Sequence, residues 1–303
     1  MKLSWTGFSK KSLQERLKFL QDYHLLNENN QANLEYNHTL PLSTADQMSE
    51  NVIGTFALPY AFVPDVMVDG QVYQVPFVTE EPSVVAAASF AAKMIKRSGG
   101  FKTTIHNRQM IGQVALYHVP DIKNAINNIQ EKKQKLLELA NQAHPSIVKR
   151  GGGARHLHAE YLNGEAEFLI VYLTVDTQEA MGANILNTML EALKTPLEEL
   201  SGGKSLMAIL SNYATEALVT ATCEIDIRFL DRNKSEALDI AKKIVLASQF
   251  AKQDPYRAST HNKGIFNGID AVVLATGNDW RAIEAGAHAY ASRNGTYQGL
   301  TTW

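Results

Sequence analysis

VMVDGQVYQVPFVTEEPSVVAAASFAAKMIK, residues 66–96, changes its hydrophobic period part-way along, and that change sets the fold class. Val66-Met67-Val68 and Val72-Tyr73-Gln74-Val75 alternate as strands do. Asp69-Gly70 between them supplies the positive φ angles of a type I′ turn, so the stretch opens as a hairpin. The second strand ends at Thr79-Glu80-Glu81-Pro82, and a helix follows through Lys96. Pro82 suits its first turn and Gly99-Gly100 its exit. Ala86, Ala87, Ala88, Ala91 and Ala92 leave this helix small all round. Small side chains let other elements approach closely, so the helix is expected to be central and buried.

Upstream, residues 9–26 read as an amphipathic helix with Leu13, Leu17 and Leu20 on one face and a capping-box spacing at Ser12 and Glu15. A second short helix is expected from Thr44 to Gly54. Downstream, Asp121–His144 reads as one long helix interrupted by Pro145, its polar face an exposed lid on a smaller layer. Gly151-Gly152-Gly153 leads into alternating strands that end with Phe168–Val175. A helix over Glu179–Leu200 and a strand over Leu206–Leu210 follow. The expected class is α+β. Residues 1–106 and 217–303 would form a large, mostly helical domain around the Ala-rich helix, and 107–216 a smaller inserted α+β domain. Helices over Ser235–Lys252 and Trp280–Arg293 complete the large part. HNKGIFNGIDAVVLATGND, residues 261–279, reads as alternating loop and strand between them.

The chain has 303 residues, more than one core usually organises, so two domains are the natural expectation. With 29 basic and 31 acidic residues the formal net charge is -2. That argues against nucleic acid or an anionic membrane as main partner, because both need clustered positive charge. Cys223 stands alone, so an intrachain disulfide and a CxxC pair are excluded and a reducing cytosol fits best. The N-terminus carries charges throughout and has no apolar h-region, and runs such as Val84–Ala88 are too short to span a bilayer. A soluble, cytoplasmic protein is expected.

No GxGxxG follows a first strand, so the usual dinucleotide fingerprint is absent. Backbone amides at Gly151-Gly152-Gly153, after Lys149-Arg150, could approach a phosphate, although a triple glycine is more often a mobile loop. Met181-Gly182-Ala183-Asn184 stands where a strand passes into a helix, a place for a pyrophosphate or simply a tight turn. His261 and His288 lack a third ligand at useful spacing, so metal is not expected. A single lysine is by default a surface lysine. Lys263 rises above that because Asn262, Gly264, Asn267, Gly268 and Asp279 surround it in one expected loop–strand–loop unit, whose ends a strand would bring to one rim. Glu81, at the strand-to-helix junction beside Ser83, completes a Glu–Lys–Asp cluster suited to proton transfer.

At these segments the chain resembles the bacterial-type (class II) 3-hydroxy-3-methylglutaryl-CoA (HMG-CoA) reductases. The matching words are ENVIG at 50–54, EEPSVVAAAS at 80–89, GGG at 151–153, AMGAN with Asn187-Thr188, and LSN at 210–212. DPYRAST at 254–260, HNKGIFNGID, and ATGNDWRA with EAGAHAYA follow in the family's order. The resemblance implies reduction of a thioester by two hydride transfers from NADPH, or alternatively NADH, releasing coenzyme A and mevalonate. It implies that Lys263 stabilises the developing oxyanion, that Glu81 supplies the proton, and that Asp279 lies between them. Ser83, Arg257 and Asn267 would grip the hydroxymethylglutaryl group, with Arg257 on its carboxylate. Met181, Gly182, Ala183, Asn184 and Asn212 would contact the nicotinamide cofactor. A homodimer with shared sites is implied, the ENVIG segment contributing.

Two departures qualify this. NADH-preferring relatives carry an acid near position 144. Here His144 stands there, with Lys149 and Arg150 following, which suits the extra phosphate of NADPH. The resemblance also implies a C-terminal helical flap whose histidine protonates the leaving thiolate, and none of the nine histidines occupies that motif. A chain that binds better than it turns over is therefore expected. The competing reading is a non-catalytic module binding coenzyme A or a dinucleotide.

Overall fold

The structure, a computed structural model, describes residues 3–35 and 40–303. Helix α1 (Leu13–Asp22) starts at the expected box. Ser12 accepts from the Glu15 amide, and the Glu15 side chain accepts from the Ser12 amide. Helix α2 (Glu28–Glu35) and the short α3 (Leu42–Met48) follow. The expected continuation to Gly54 does not form, because Ser49 turns extended at φ -150° and the chain runs irregularly to residue 59.

β1 (Tyr60–Val68) and β2 (Gln71–Val78) pair antiparallel, with Asp69 at φ 48° and Gly70 at φ 83° in the turn. Helix α4 (Val84–Arg97) packs back on β1. One expectation is corrected here. Only Ala92 and Ile95 of α4 are buried, while Ala86, Ala87 and Phe90 face outward in the single chain. A hairpin is only two strands wide, so it can cover one face of the helix and no more.

A strand, β3 (Lys102–Ile105), leads into a four-stranded antiparallel sheet. Its members are β4 (Gln109–Tyr117), β5 (Gly153–Asn163), β6 (Glu167–Asp176) and β7 (Lys204–Ser211), in the order β5-β6-β4-β7. The single helix expected over 121–144 is two. These are α5 (Ile122–Glu131) and α6 (Lys133–Ala143), broken at Lys132, where ψ is 6°, and followed by α7 (Pro145–Lys149). They are no exposed lid, since Ala125, Ile129, Leu136 and Ala140 are buried against the sheet and α8 (Ala183–Ser201). Leu186, Met189, Leu190, Leu193 and Leu197 recur on one face of α8, all fully buried. Each such side chain contributes about 1.5–3 kcal/mol of burial free energy.

β8 (Val219–Thr222) returns to pair with β3, forming an exposed two-stranded ribbon that sequence reading missed. The chain closes with α9 (Lys234–Gln253), α10 (Pro255–Ala275) and α11 (Trp280–Ala291). The loop–strand–loop reading of residues 261–279 is overturned, because most of that stretch lies inside α10. Its start is a strong one. The Asp254 carboxylate accepts from the Arg257 amide at 2.7 Å and Pro255 takes the first turn. Ala258, Asn262 and Phe266 are buried on one face and Ala271 on another. α10 packs on β2 and α11, and a second core of Val63, Phe77, Ala92 and Ala271 joins hairpin, α4 and α10.

Candidate active site

The loop from β2 into α4 brings Glu81 beside the middle of α10. There the Lys263 ammonium donates to the Glu81 carboxylate in a close ion pair, across 182 positions of sequence. The Glu81 amide donates to Thr79 Oγ1 at 3.3 Å, which helps fix the loop. Ser83, two residues on, caps α4 at φ 70° with its hydroxyl making no capping bond. Both charged side chains remain open to solvent, 59% exposed for Lys263 and 41% for Glu81. The pair is therefore accessible to a ligand.

Asn267 stands one turn along α10 from Lys263 on the same face, and Arg257 lies a third of a turn round in the first helical turn. Among the described residues the side chains of Ser83, Arg257 and Asn267 make no hydrogen bond or ion pair within the chain. An unspent guanidinium near an ammonium is a ready carboxylate site.

Asp279 is not brought to the pair. From Lys263 to the end of α10 is twelve residues, about 18 Å of helix, and Asp279 lies beyond that end, capping α11 through the Ala282 amide at 3.1 Å. Helix α11 then runs back along α10, with the His288 ring 4.8 Å from that of Phe266. The expectation that one rim gathers Lys263 and Asp279 within a single chain fails, because a helix separates its ends where a strand–loop unit would have returned them.

Two turns from Lys263 on its own face stands Asp270, which sequence reading weighed only as a metal ligand and set aside. One of its carboxyl oxygens is buried without a hydrogen-bond partner. Burial first, and then the Glu284 carboxyl of α11, push its pKa up to about 6. His261 holds Thr301 at 3.0 Å and His288 holds the Tyr297 hydroxyl at 2.8 Å. Among the described residues no three metal-ligating side chains converge.

The second constellation lies at one end of the four-stranded sheet. Gln109, Asp176 and Gly153 pair across neighbouring strands there, and Ser211 ends β7 opposite Ile111. This rim carries Gly151–Gly153, the Met181–Asn184 segment and Asn212. Gly182 caps α8 at φ 97° with no side-chain capping bond, and a Cβ on it would collide with Thr177. The first amides of a 19-residue helix thus face outward, a position that favours a pyrophosphate. Cβ atoms at Gly152 and Gly153 would strike the Asp176 carbonyl and the Asn141 side chain, so the triple glycine is a packed turn and no mobile loop. Arg108, unremarked in the sequence, donates to the Gln178 carbonyl at 3.1 Å and to Glu179 at 2.9 Å, bracing the loop before Gly182. The start of α8, without a side-chain cap, is a place that suits the phosphates of a dinucleotide.

The profile described as hydroxymethylglutaryl-coenzyme A reductase matches residues 12–303. The chain belongs to this family. The HMG-CoA reductase of Archaeoglobus fulgidus is 42% identical over 298 residues, 98% of this chain and 67% of that protein. A probable HMG-CoA reductase of Borreliella burgdorferi is 34% identical over 252 residues, 82% of this chain and 57% of its own length. The chain thus spans between 57% and 67% of these two HMG-CoA reductases. A class II HMG-CoA reductase of Streptococcus pneumoniae, described as bound to NADPH in open conformations, superposes with a TM-score of 0.97 at 67% identity. That match covers 99% of this chain and 82% of the other. Among the described residues no helix is long and apolar enough to cross a membrane.

Proposed function

We propose that the chain reduces HMG-CoA to mevalonate and coenzyme A with two equivalents of NADPH. The observation that carries this reading is the Lys263–Glu81 pair, exposed to a ligand and flanked by unspent Ser83, Arg257 and Asn267 side chains. When bound, the nicotinamide supplies the hydride to the carbonyl carbon, twice per turnover. Lys263 donates a charge-assisted hydrogen bond to the carbonyl oxygen as negative charge develops on it. Glu81 gives the final alkoxide its proton, and the released coenzyme A thiolate takes its proton from water. Arg257 binds the distal carboxylate, while Ser83 and Asn267 orient the hydroxymethylglutaryl group. The stretch 107–216 acts as the cofactor domain inserted in a substrate domain of 1–106 and 217–303. His144, Lys149 and Arg150 favour NADPH over NADH, because none is an acid that would repel a 2′-phosphate.

The working form is a homodimer, acting in the cytoplasm. Asp279 reaches the Lys263–Glu81 pair only from a second copy, since about 18 Å of α10 keeps it away within its own chain. Ile53 of the ENVIG segment, Phe56 and Phe90 stand exposed and would be covered by that copy.

Following NADPH absorbance with HMG-CoA tests the reading. Two NADPH are consumed per HMG-CoA, and Lys263→Ala lowers turnover by about 10²–10³-fold. A Lys263→Ala protein turning over at the wild-type rate contradicts it.

A further inference from the structure

A glycine inside a helix costs about 1 kcal/mol relative to alanine, and α11 is otherwise alanine-rich, with Ala285, Ala287 and Ala289 around its one glycine, Gly286. Nothing in the backbone there demands glycine, because Gly286 has no positive φ. The demand comes from across the interface. A Cβ on Gly286 would lie 2.5 Å from the carbonyl oxygen of Asn212 and 3.5 Å from its carbonyl carbon. That is too close for any real side chain, and the obstacle is main chain, which cannot rotate aside as a flexible side chain would.

Asn212 is the first residue beyond β7, on the rim that carries Gly151–Gly153 and Met181–Asn184. The chain leaves it through tight turns, Thr215 bonding the Tyr213 carbonyl at 3.0 Å and Ala217 the Ala214 carbonyl at 3.0 Å, before reaching β8. Helix α11 lies along α10, the helix of Lys263. Gly286 is thus a place where the rim of the sheet seats by main chain on the helix pair that carries the reacting lysine.

We infer that Gly286 is a positioning residue for the cofactor, fixing the Asn212 end of the dinucleotide site against α11 and so setting its distance from Lys263. The inference rests on the reading that this rim binds NADPH. Gly286 touches no ligand itself. A methyl group there lifts Asn212 off α11 and tilts the rim, which leaves both cores packed.

The test compares wild type, Gly286→Ala and Ala285→Gly by fluorescence titration with NADPH, calorimetric titration with HMG-CoA, and thermal unfolding. Gly286→Ala weakens NADPH binding about tenfold, as ångström-scale misplacement does. Its HMG-CoA affinity stays within about twofold and its Tm falls by only a few degrees, because alanine's helix preference offsets part of the cost of the clash. Ala285→Gly, which weakens the same helix without touching Asn212, lowers Tm and leaves NADPH binding unchanged. Unaltered NADPH affinity in Gly286→Ala overturns the inference, as does an equal loss for both ligands or a variant that fails to fold. Wild-type protein that does not bind NADPH sinks the functional reading instead, and this inference with it.

Discussion

The two cores of this protein are unlike. Between Met110 and Leu210, the sheet and its helices bury an unbroken apolar interior, with Leu116, Leu157, Leu169, Leu173 and the α8 leucines at or near zero exposure. The core that joins hairpin, α4 and α10 rests on Val63, Phe77, Ala92 and Ala271, with half-buried valines around it. Beside it Phe90, Leu246 and Phe250 face outward. The first unit closes most of its interior in one chain, with Leu206, Met207 and Ile209 of β7 left exposed. The second keeps apolar surface unspent, and it is the one that carries Lys263 and Glu81. On the proposed reading, the dinucleotide end of the site is built by one copy and the reacting end is completed by a second.

The contrast can be broken where it is strongest. Leu190→Ala, in the sheet core, lowers unfolding free energy by about 2–5 kcal/mol at any protein concentration. The measurement is urea unfolding at two concentrations, and a cost below about 1 kcal/mol would show that this core is looser than its burial indicates.

A smaller effect sharpens the other side. Asp270 has an ordinary pKa of 3.8 unfolded and is pushed up to about 6 in the fold. Between those values the folded chain keeps a proton that the unfolded chain releases, so stability falls as pH rises from about 4 to about 6. Asp270→Asn removes that fall. The variant should melt above wild type at neutral pH and show no advantage near pH 4. A gain independent of pH would mean that Asp270 is not held protonated.

Much of this was legible in the residues, and the failures have physical causes. Asp69-Gly70 declared the hairpin because two adjacent positive φ angles admit few residue pairs, and Ser12 with Glu15 declared α1 because a reciprocal cap is a local event. The words around Glu81 and Lys263 pointed to the pair that forms. Helix α10 was misread because Gly264 and Gly268 lower its intrinsic preference and Val272-Val273 suggest a strand. Tertiary burial of Ala258, Asn262, Phe266 and Ala271 overrides both. Asp254-Pro255 signalled its start, cap followed by first-turn proline, and would have corrected the reading. The exposure of α4 and the role of Gly286 could not be read at all, since each depends on which main chain arrives from elsewhere.

The central claim is that each reacting centre joins Lys263 and Glu81 of one copy to Asp279 of another. Co-expressing Lys263→Ala and Asp279→Ala chains with different tags, and purifying only the mixed dimer, tests it directly. In that dimer one site receives both defects and the other receives neither, so HMG-CoA reduction should recover to about half the wild-type rate from two inactive parents. A mixed dimer as inactive as either parent would place Asp279 with the lysine of its own chain and contradict the account.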